Sequence, residues 1–323
     1  MAIYDLWPER HTLHGHFSRE LAPVLTIDPG DTVRFHTLDA GWNLEPRRST
    51  VYADQPRKFE PRDAQRDDGH ALCGPVAVRG AQPGMTLGVR IERVQPGPWG
   101  WTACGGWPSP VNERLGVAGQ GTFLLWTLDR ERMVGRDQYG HTVALRPFMG
   151  VMGMPPAESG QHSTLPPRPW GGNLDCKELV AGSTLYLPIA VEGALFSTGD
   201  GHATQGDGEA STTAIECPME EVVLTFSLHA DRPLSLPRAE TPAGTITFGF
   251  HVDLDEATYL ALEGMLGLLG ERYGIGRQEA LGLASVAVDL RITQIVNGVC
   301  GAHAILPHHA ITPASDAGRP SLI

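Results

Sequence analysis

The sequence predicts a mainly β protein: a β-sandwich or barrel-like body over residues 1–240, a smaller α+β lobe over 241–306, and a tail over 307–323. Two observations carry this. The 39 glycines and 26 prolines are spread through all 323 residues and cut the chain into short apolar runs, the pattern of many strands joined by turns. Helical periodicity, by contrast, is confined to the last quarter of the chain. The length suffices to bury a substantial core without covalent staples.

Strands are expected at Pro23–Ile27, Thr32–Leu38, Pro75–Val78, Thr86–Val94, Thr122–Leu128, Thr184–Val191 and Glu221–Leu228, where β-branched and apolar residues cluster. Asp28-Pro29-Gly30-Asp31 and Gln82-Pro83-Gly84-Met85 are turns: proline presets φ and glycine accepts a positive one. Residues 45–68, dense in Arg, Asp, Gln and Pro, read as a solvated surface loop or lid. After a strand at Thr245–Val252, Leu262, Met265, Leu266 and Leu269 recur at i, i+3, i+4 and i+7, so an amphipathic helix begins near Asp253–Glu256 and stops near Gly274. A short helix at Arg277–Leu283 then leads into a half-buried strand with Val286, Val288, Leu290 and Ile292 on one face.

Acidic residues outnumber basic ones 37 to 25, the formal net charge is -12, and lysine occurs only at Lys58 and Lys177, so no basic patch for nucleic acid is available. No stretch approaches the ~20 apolar residues of a membrane helix, and the N-terminus lacks a secretory leader; a cytoplasmic location is expected. The five cysteines are odd in number and show no CxxC spacing, which argues against a disulfide framework and a cysteine-built zinc site and marks most of them as small buried hydrophobes.

Chemistry concentrates at Ser197–Glu209, STGDGHATQGDGE. On an extended chain Asp200 and His202 share a face, as do Asp207 and Glu209, and a hairpin would bring both pairs together. Gly206 and Gly208 would leave the opposite face open to another backbone or a ligand. Two ionised carboxylates ~5 Å apart cost roughly 3 kcal/mol at an effective dielectric near 20, which a cation or a shared proton relieves.

Five blocks in series carry a resemblance: Arg10–Asp39, Gly74–Thr86, Pro147–Pro155, Gly171–Glu216 and Leu283–Asn297. Within the fourth, GGNLD at Gly171–Asp175 precedes an apolar strand and then GDGHATQGDGE. On these motifs the chain resembles the acetamidase/formamidase family. The resemblance implies hydrolysis of a short aliphatic amide to carboxylate and ammonia, a mostly β architecture, and a homo-oligomer, a dimer or a multiple of dimers. Two departures, Ala210-Ser211-Thr212 after Glu209 and His70-Ala71-Leu72-Cys73 before Gly74-Pro75-Val76, bear on the pocket shape.

A divalent cation held by His202 with carboxylates from Asp175, Asp200 or Asp207 would lower the pKa of water and polarise the amide carbonyl. Zinc is the first choice, calcium or manganese the alternatives for an oxygen-rich set. Glu209 is the expected proton shuttle, with Asp207 and Asn173 as further catalytic candidates; Asn173, Gly171 and Gly172 would hydrogen-bond the substrate, and Met149 and Met152, with Phe148 and Met154, would wall a small apolar pocket. His14 and His16 form an HxH pair, and His70 and His162 are other histidines able to approach the site. Two competing readings are a thiol amidase using Cys176 and a non-catalytic small-amide or metal-binding β protein on the same scaffold.

Overall fold

Short, turn-bounded apolar runs pair here into two large sheets laid face to face. The structure, a computed structural model, describes residues 1–312. Among these, nine strands form the largest sheet in the order Ile3–Leu6, Thr32–Thr37, Met219–His229, Thr86–Pro96, Thr184–Pro188, Arg238–Thr241, Gly244–His251, Cys300–Pro307 and Asp289–Gln294. A seven-stranded sheet runs Pro167–Arg168, Gly171–Asn173, Phe148–Gly153, Phe196–His202, Leu72–Val78 and Leu13–His14, with Leu25–Ile27 also paired to Leu72–Val78. Most pairs are antiparallel, so one face of each large sheet turns to the core and alternation survives, as along Thr32–Thr37, where every second residue is buried. Phe35, Val89, Leu224 and Phe226 of the first sheet meet Val76, Met149, Met152 and Phe196 of the second in one core, with the Phe196 ring edge-on to Phe35 and Phe226.

The expected strands are present, most with ends shifted by one to three residues, the usual uncertainty of strand edges. The 45–68 segment holds no regular element and is tied back through Asp67, whose buried carboxylate takes both terminal nitrogens of Arg10 at 2.6 and 2.9 Å. The strands of the C-terminal lobe, residues 241–306, continue the nine-stranded sheet. The helix Leu254–Tyr273 starts on the Asp253 carboxylate, which accepts from the Asp255 and Glu256 N–H, and ends at Gly274 with φ 63°. It lies close on its sheet through small residues: a Cβ on Gly249 would meet the Ala257 carbonyl oxygen at 1.9 Å. The second helix runs from Arg277 to Ala287, further than expected, and absorbs Val286, 81% exposed. In the strand that follows, Leu290 and Ile292 face outward because Arg291 and Thr293 take the inward face, toward Glu178 and His303, and a register irregularity after Ile292 brings Gln294 inward as well. Most of the expected tail, residues 313–323, lies outside the described residues.

Candidate active site

The strand Phe196–His202 is buried along its whole length, between Phe148–Gly153 and Leu72–Val78. Its glycines explain how. A Cβ on Gly199 would meet the Ala71 carbonyl at 2.3 Å and one on Gly201 the Met219 side chain at 2.6 Å, so that side is closed by backbone and core. The polar side chains come together instead: His202 Nε2 is 3.4 Å from Asp200 Oδ1 and 3.3 Å from Glu216 Oε1. Two groups of potential metal ligands share His202, namely Asp175–Asp200–His202 and His202–Glu209–Glu216, each with its ligand atoms within 4.8 Å of one another.

Three of these carboxylates sit on left-handed backbone, Asp175 at φ 49°, Asp200 at 58° and Glu209 at 47°. Such conformations cost of order 1–3 kcal/mol each and persist where the surroundings enforce them, commonly at functional sites. The enforcing contacts are local. The Leu174 and Asp175 N–H groups both donate to the Gly150 carbonyl, at 2.9 and 3.3 Å, which turns Asp175 back over the sheet. Glu209 is delivered by Gly208, whose N–H donates to Thr293 O and whose carbonyl accepts from Ile295 N–H, stitching this loop to the C-terminal lobe.

Gly150 itself faces the cluster. A Cβ there would lie 2.5 Å from Asp200 Oδ2, 2.8 Å from Asp175 Oδ1 and 2.8 Å from His202 Cε1. The strand Phe148–Gly153 thus contributes a gap where the donors converge, flanked by the Phe148 ring, which stands edge-on to His202 at 5.1 Å.

Gln205 fixes the imidazole. Its Nε2 donates to the Asp175 carbonyl at 2.8 Å, so its Oε1 faces His202 Nδ1 at 2.9 Å and Nδ1 carries a proton. Nε2 is left to face the carboxylates, the arrangement in which a second partner orients a ligating histidine. Asn297, from the hairpin tip of the C-terminal lobe, donates to Asp175 Oδ2 at 2.8 Å and leaves Oδ1 free. Asp175 Oδ1, His202 Nε2, Glu209 Oε2, Glu216 Oε2 and Asn173 Oδ1 are all buried without a hydrogen-bond partner. The first four belong to the two groups that share His202, and such a concentration of unpartnered polar atoms calls for something shared between them.

Electrostatics give the same picture. Burial pushes Asp175 up to about 7, and Asp200 adds to it against the pull of His202. Burial likewise takes Glu216 to about 8 and, with Asp175 beside it, Glu209 well above the usual carboxylate range. Burial opposes the charge on both members of the Asp200–His202 pair, yet Asp200 is held below its ordinary value by His202, and His202 well above its own by Glu216 and Asp200. Asp175, Glu209 and Glu216 and the imidazole of His202 therefore hold protons near neutral pH while Asp200 is ionised, an arrangement in which a cation would replace the protons.

Of the expected site residues, Asp175, Asp200, His202 and Glu209 come together. Asp207 does not: its carboxylate pairs with Lys177 Nζ at 2.9 Å and lies 3.9 Å from Arg291. The reason is conformational, since the positive φ of Gly208, 92°, and of Glu209 breaks the extended chain on which the two acids would share a face. Met149 and Met152, 1% and 0% exposed, pack in the main core. Gly171 and Gly172, at φ 88° and 100°, serve the turn and pairing of their short strand, where a Gly171 Cβ would strike the Met152 carbonyl at 2.3 Å. Asn173 donates Nδ2 to Leu165 O at 3.0 Å, so the free atom it offers is an acceptor. His14 uses both ring nitrogens, on His16 O and Ser197 Oγ, and His16 binds Arg66 O, so the HxH pair does not chelate. His162 binds Glu158 O, whereas half-buried His70, held by Thr164 Oγ1 at 2.8 Å, is near enough for its charge to act on Asp200. Cys176 is fully buried and pushed up well above the usual thiol value by burial and by Glu178, the opposite of what a nucleophile needs.

Sequence reasoning missed Glu216 and Gly150, and assigned no role to Gln205 or Asn297. Glu216 reaches the cluster because its backbone bridges both Trp101 and His202.

The sequence profile described as the Acetamidase/Formamidase family matches residues 4–161 and 157–311. The crystal structure of an acetamidase from Bacillus halodurans superposes with a TM-score of 0.80 at 29% identity, covering 94% of this chain and 97% of that one. An acetamidase from Yersinia enterocolitica gives 0.81 at 26%, over 94% and 92%. The formamidase of Methylophilus methylotrophus is 24% identical over 255 residues, 63% of this chain and 60% of that protein. With the profile spanning almost all of the described residues, the chain belongs to the acetamidase/formamidase family of amide carbon–nitrogen hydrolases.

Proposed function

We propose that the chain hydrolyses short aliphatic amides, formamide and acetamide first among them, to carboxylate and ammonia, with a divalent cation held in the buried acid–histidine cluster. The carrying observation is the set of unpartnered buried atoms in the cluster, His202 Nε2, Asp175 Oδ1, Glu209 Oε2 and Glu216 Oε2, with Gly150 leaving open the space beside Asp175, Asp200 and His202. The residues fit a cation, since up to four negative charges face one imidazole in a water-poor site. Asp175, Asp200 and His202 would hold it, with Glu216 beside the same His202 Nε2; zinc is our first assignment, calcium or manganese the alternatives. When bound, such an ion polarises the amide carbonyl and depresses the pKa of water.

The chain's own residues supply the rest. Glu209, buried against Asp175 with Oε2 free, would be ionised once a cation displaces its proton; it then takes the proton released as water adds to the carbonyl and returns it to the departing nitrogen. Asn173 Oδ1 accepts an N–H of the substrate amide and so orients its carbonyl. Asp200 positions His202, and Gln205 fixes its tautomer with Nδ1 protonated. The Phe148 ring closes one side against His202 and keeps the acyl end small. Free thiols at all five cysteines support a cytoplasmic, reducing compartment, and the reading includes a homo-oligomer whose subunit count light scattering will give.

The test is ammonia release from formamide, acetamide, propionamide, benzamide and a dipeptide amide, with metal analysis of the same preparation. The highest kcat/KM on formamide or acetamide supports the reading; preference for benzamide or the peptide overturns it.

A further inference from the structure

A second group of buried donors lies just beyond Asp175. Cys176, Glu178 and His303 are 0%, 1% and 0% exposed, and one ligand atom from each lies within 4.8 Å of the others. Glu178 Oε2 is 3.6 Å from Cys176 Sγ and 3.6 Å from His303 Nε2. Glu178 Oε1 is turned the other way, accepting from Arg291 at 3.0 Å, so Oε2 is left to face the thiol and the imidazole. His303 is steadied through Nδ1 by Thr293 Oγ1 at 2.8 Å, while its Nε2 is buried with no hydrogen-bond partner. An orphaned ring nitrogen at that depth carries its full desolvation cost unless something binds it.

The spacing suits a tetrahedral ion. Bonds of ~2.3 Å to sulfur and ~2.0 Å to nitrogen or oxygen place ligand atoms roughly 3.3–3.6 Å apart, so these side chains would need only small adjustments. We propose that Cys176, Glu178 and His303 form a second cation site, selective for thiophilic divalent ions of the zinc class, with water in the fourth position. The thiolate and carboxylate neutralise the ion, and the thiol proton leaves to solvent as it binds. Arg291, which also lies 3.9 Å from Asp207, balances the other Glu178 oxygen. Cys176 and Glu178 belong to the turn that carries Asp175, whereas His303 belongs to the strand Cys300–Pro307 of the C-terminal lobe. The ion thus ties the turn bearing Asp175 to the lobe that also supplies Asn297.

Sulfur separates this site from the acid–histidine cluster, whose donor groups include no cysteine. The full-length protein is produced in medium with cobalt as the only added transition metal, so that the ion enters during folding. Cobalt per chain and the sulfur-to-cobalt charge-transfer absorption in the near ultraviolet are then measured. We expect the band in the wild type, its persistence in Asp200→Asn, and its loss in Cys176→Ser together with about one cobalt per chain. His303→Gln, which keeps the thiol, should weaken cobalt binding at least tenfold and serves where Cys176→Ser does not fold. A wild-type protein without the band overturns the proposal, as does a band that survives Cys176→Ser.

Discussion

Gly150→Ala adds one methyl group and removes no donor, charge or hydrogen bond, yet it should disable the site. The new Cβ would stand 2.5 Å from Asp200 Oδ2 and 2.8 Å from Asp175 Oδ1. Ordinary carbon–oxygen contacts are ~3.3 Å or longer, so the nearer carboxylate must retreat by roughly 0.8 Å. Asp200 has little room to do so, being 3% exposed on left-handed backbone in a strand paired on both sides. A misplacement near 1 Å in a catalytic constellation costs about 100-fold, or ~2.7 kcal/mol of barrier. Overpacking should remove a further ~1–3 kcal/mol of stability. Steady-state ammonia release on acetamide, metal content by mass spectrometry and thermal melting separate the two effects. The expected result is a folded protein with kcat/KM down at least 100-fold and reduced metal. A variant within twofold of wild type in both activity and metal would refute the convergence of these donors on the space beside Gly150.

Other expectations follow from the same geometry. Asp207→Asn should stay within about tenfold of wild-type kcat/KM, a ~1.4 kcal/mol effect, because Asp207 serves a partly exposed pair with Lys177, whereas Asp175→Asn should fall by ~1,000-fold or more; equal losses in the two would return Asp207 to the site. Met149→Ala should cost ~2–5 kcal/mol of stability and leave the preference among acyl chain lengths unchanged, since Met149 is core; a shift toward longer amides would make it a pocket wall. Chelated protein should melt at progressively lower temperature as pH rises from 5 to 8.5. Asp175 at about 7, Glu216 at about 8 and the raised His202 all bind protons more tightly in the folded state than in the unfolded one, so their stabilisation is full at low pH and disappears as pH passes through those values. Saturating divalent cation should flatten that dependence, and a flat profile without it would count against the charged cluster.

Local rules made much of this molecule readable. The alternation of Thr32–Thr37, the capping Asp253 and the left-handed Gly274 each depend on a few adjacent residues, and the structure has them where the pattern places them. The face shared by Asp200 and His202 follows from strand geometry in the same way. What escaped depends on contacts distant in sequence. Glu216 joins because its backbone crosses both Trp101 and His202, and Asn297 arrives on a hairpin tip whose bend is set by buried Gln294, accepting from the Val296 and Asn297 N–H groups. Asp207 was misplaced because two successive positive φ values, at Gly208 and Glu209, undo the period-two rule. Leu290 and Ile292 face outward for another reason: hydrophobic alternation expects them inside, but the inward face of that strand carries Arg291 and Thr293, which meet Glu178 and His303, and a register irregularity after Ile292 brings Gln294 in to hold the 295–299 turn.

The central claim, that amide hydrolysis runs on a divalent cation in the cluster of Asp175, Asp200, His202, Glu209 and Glu216, is tested most directly by one titration. The purified protein is stripped with a strong chelator, its metal content measured, and ammonia release from formamide and acetamide followed as zinc, manganese or calcium is added back. The account predicts activity that disappears with the metal and returns with one of these ions in wild type but not in His202→Ala. Full turnover by verified metal-free protein would contradict it.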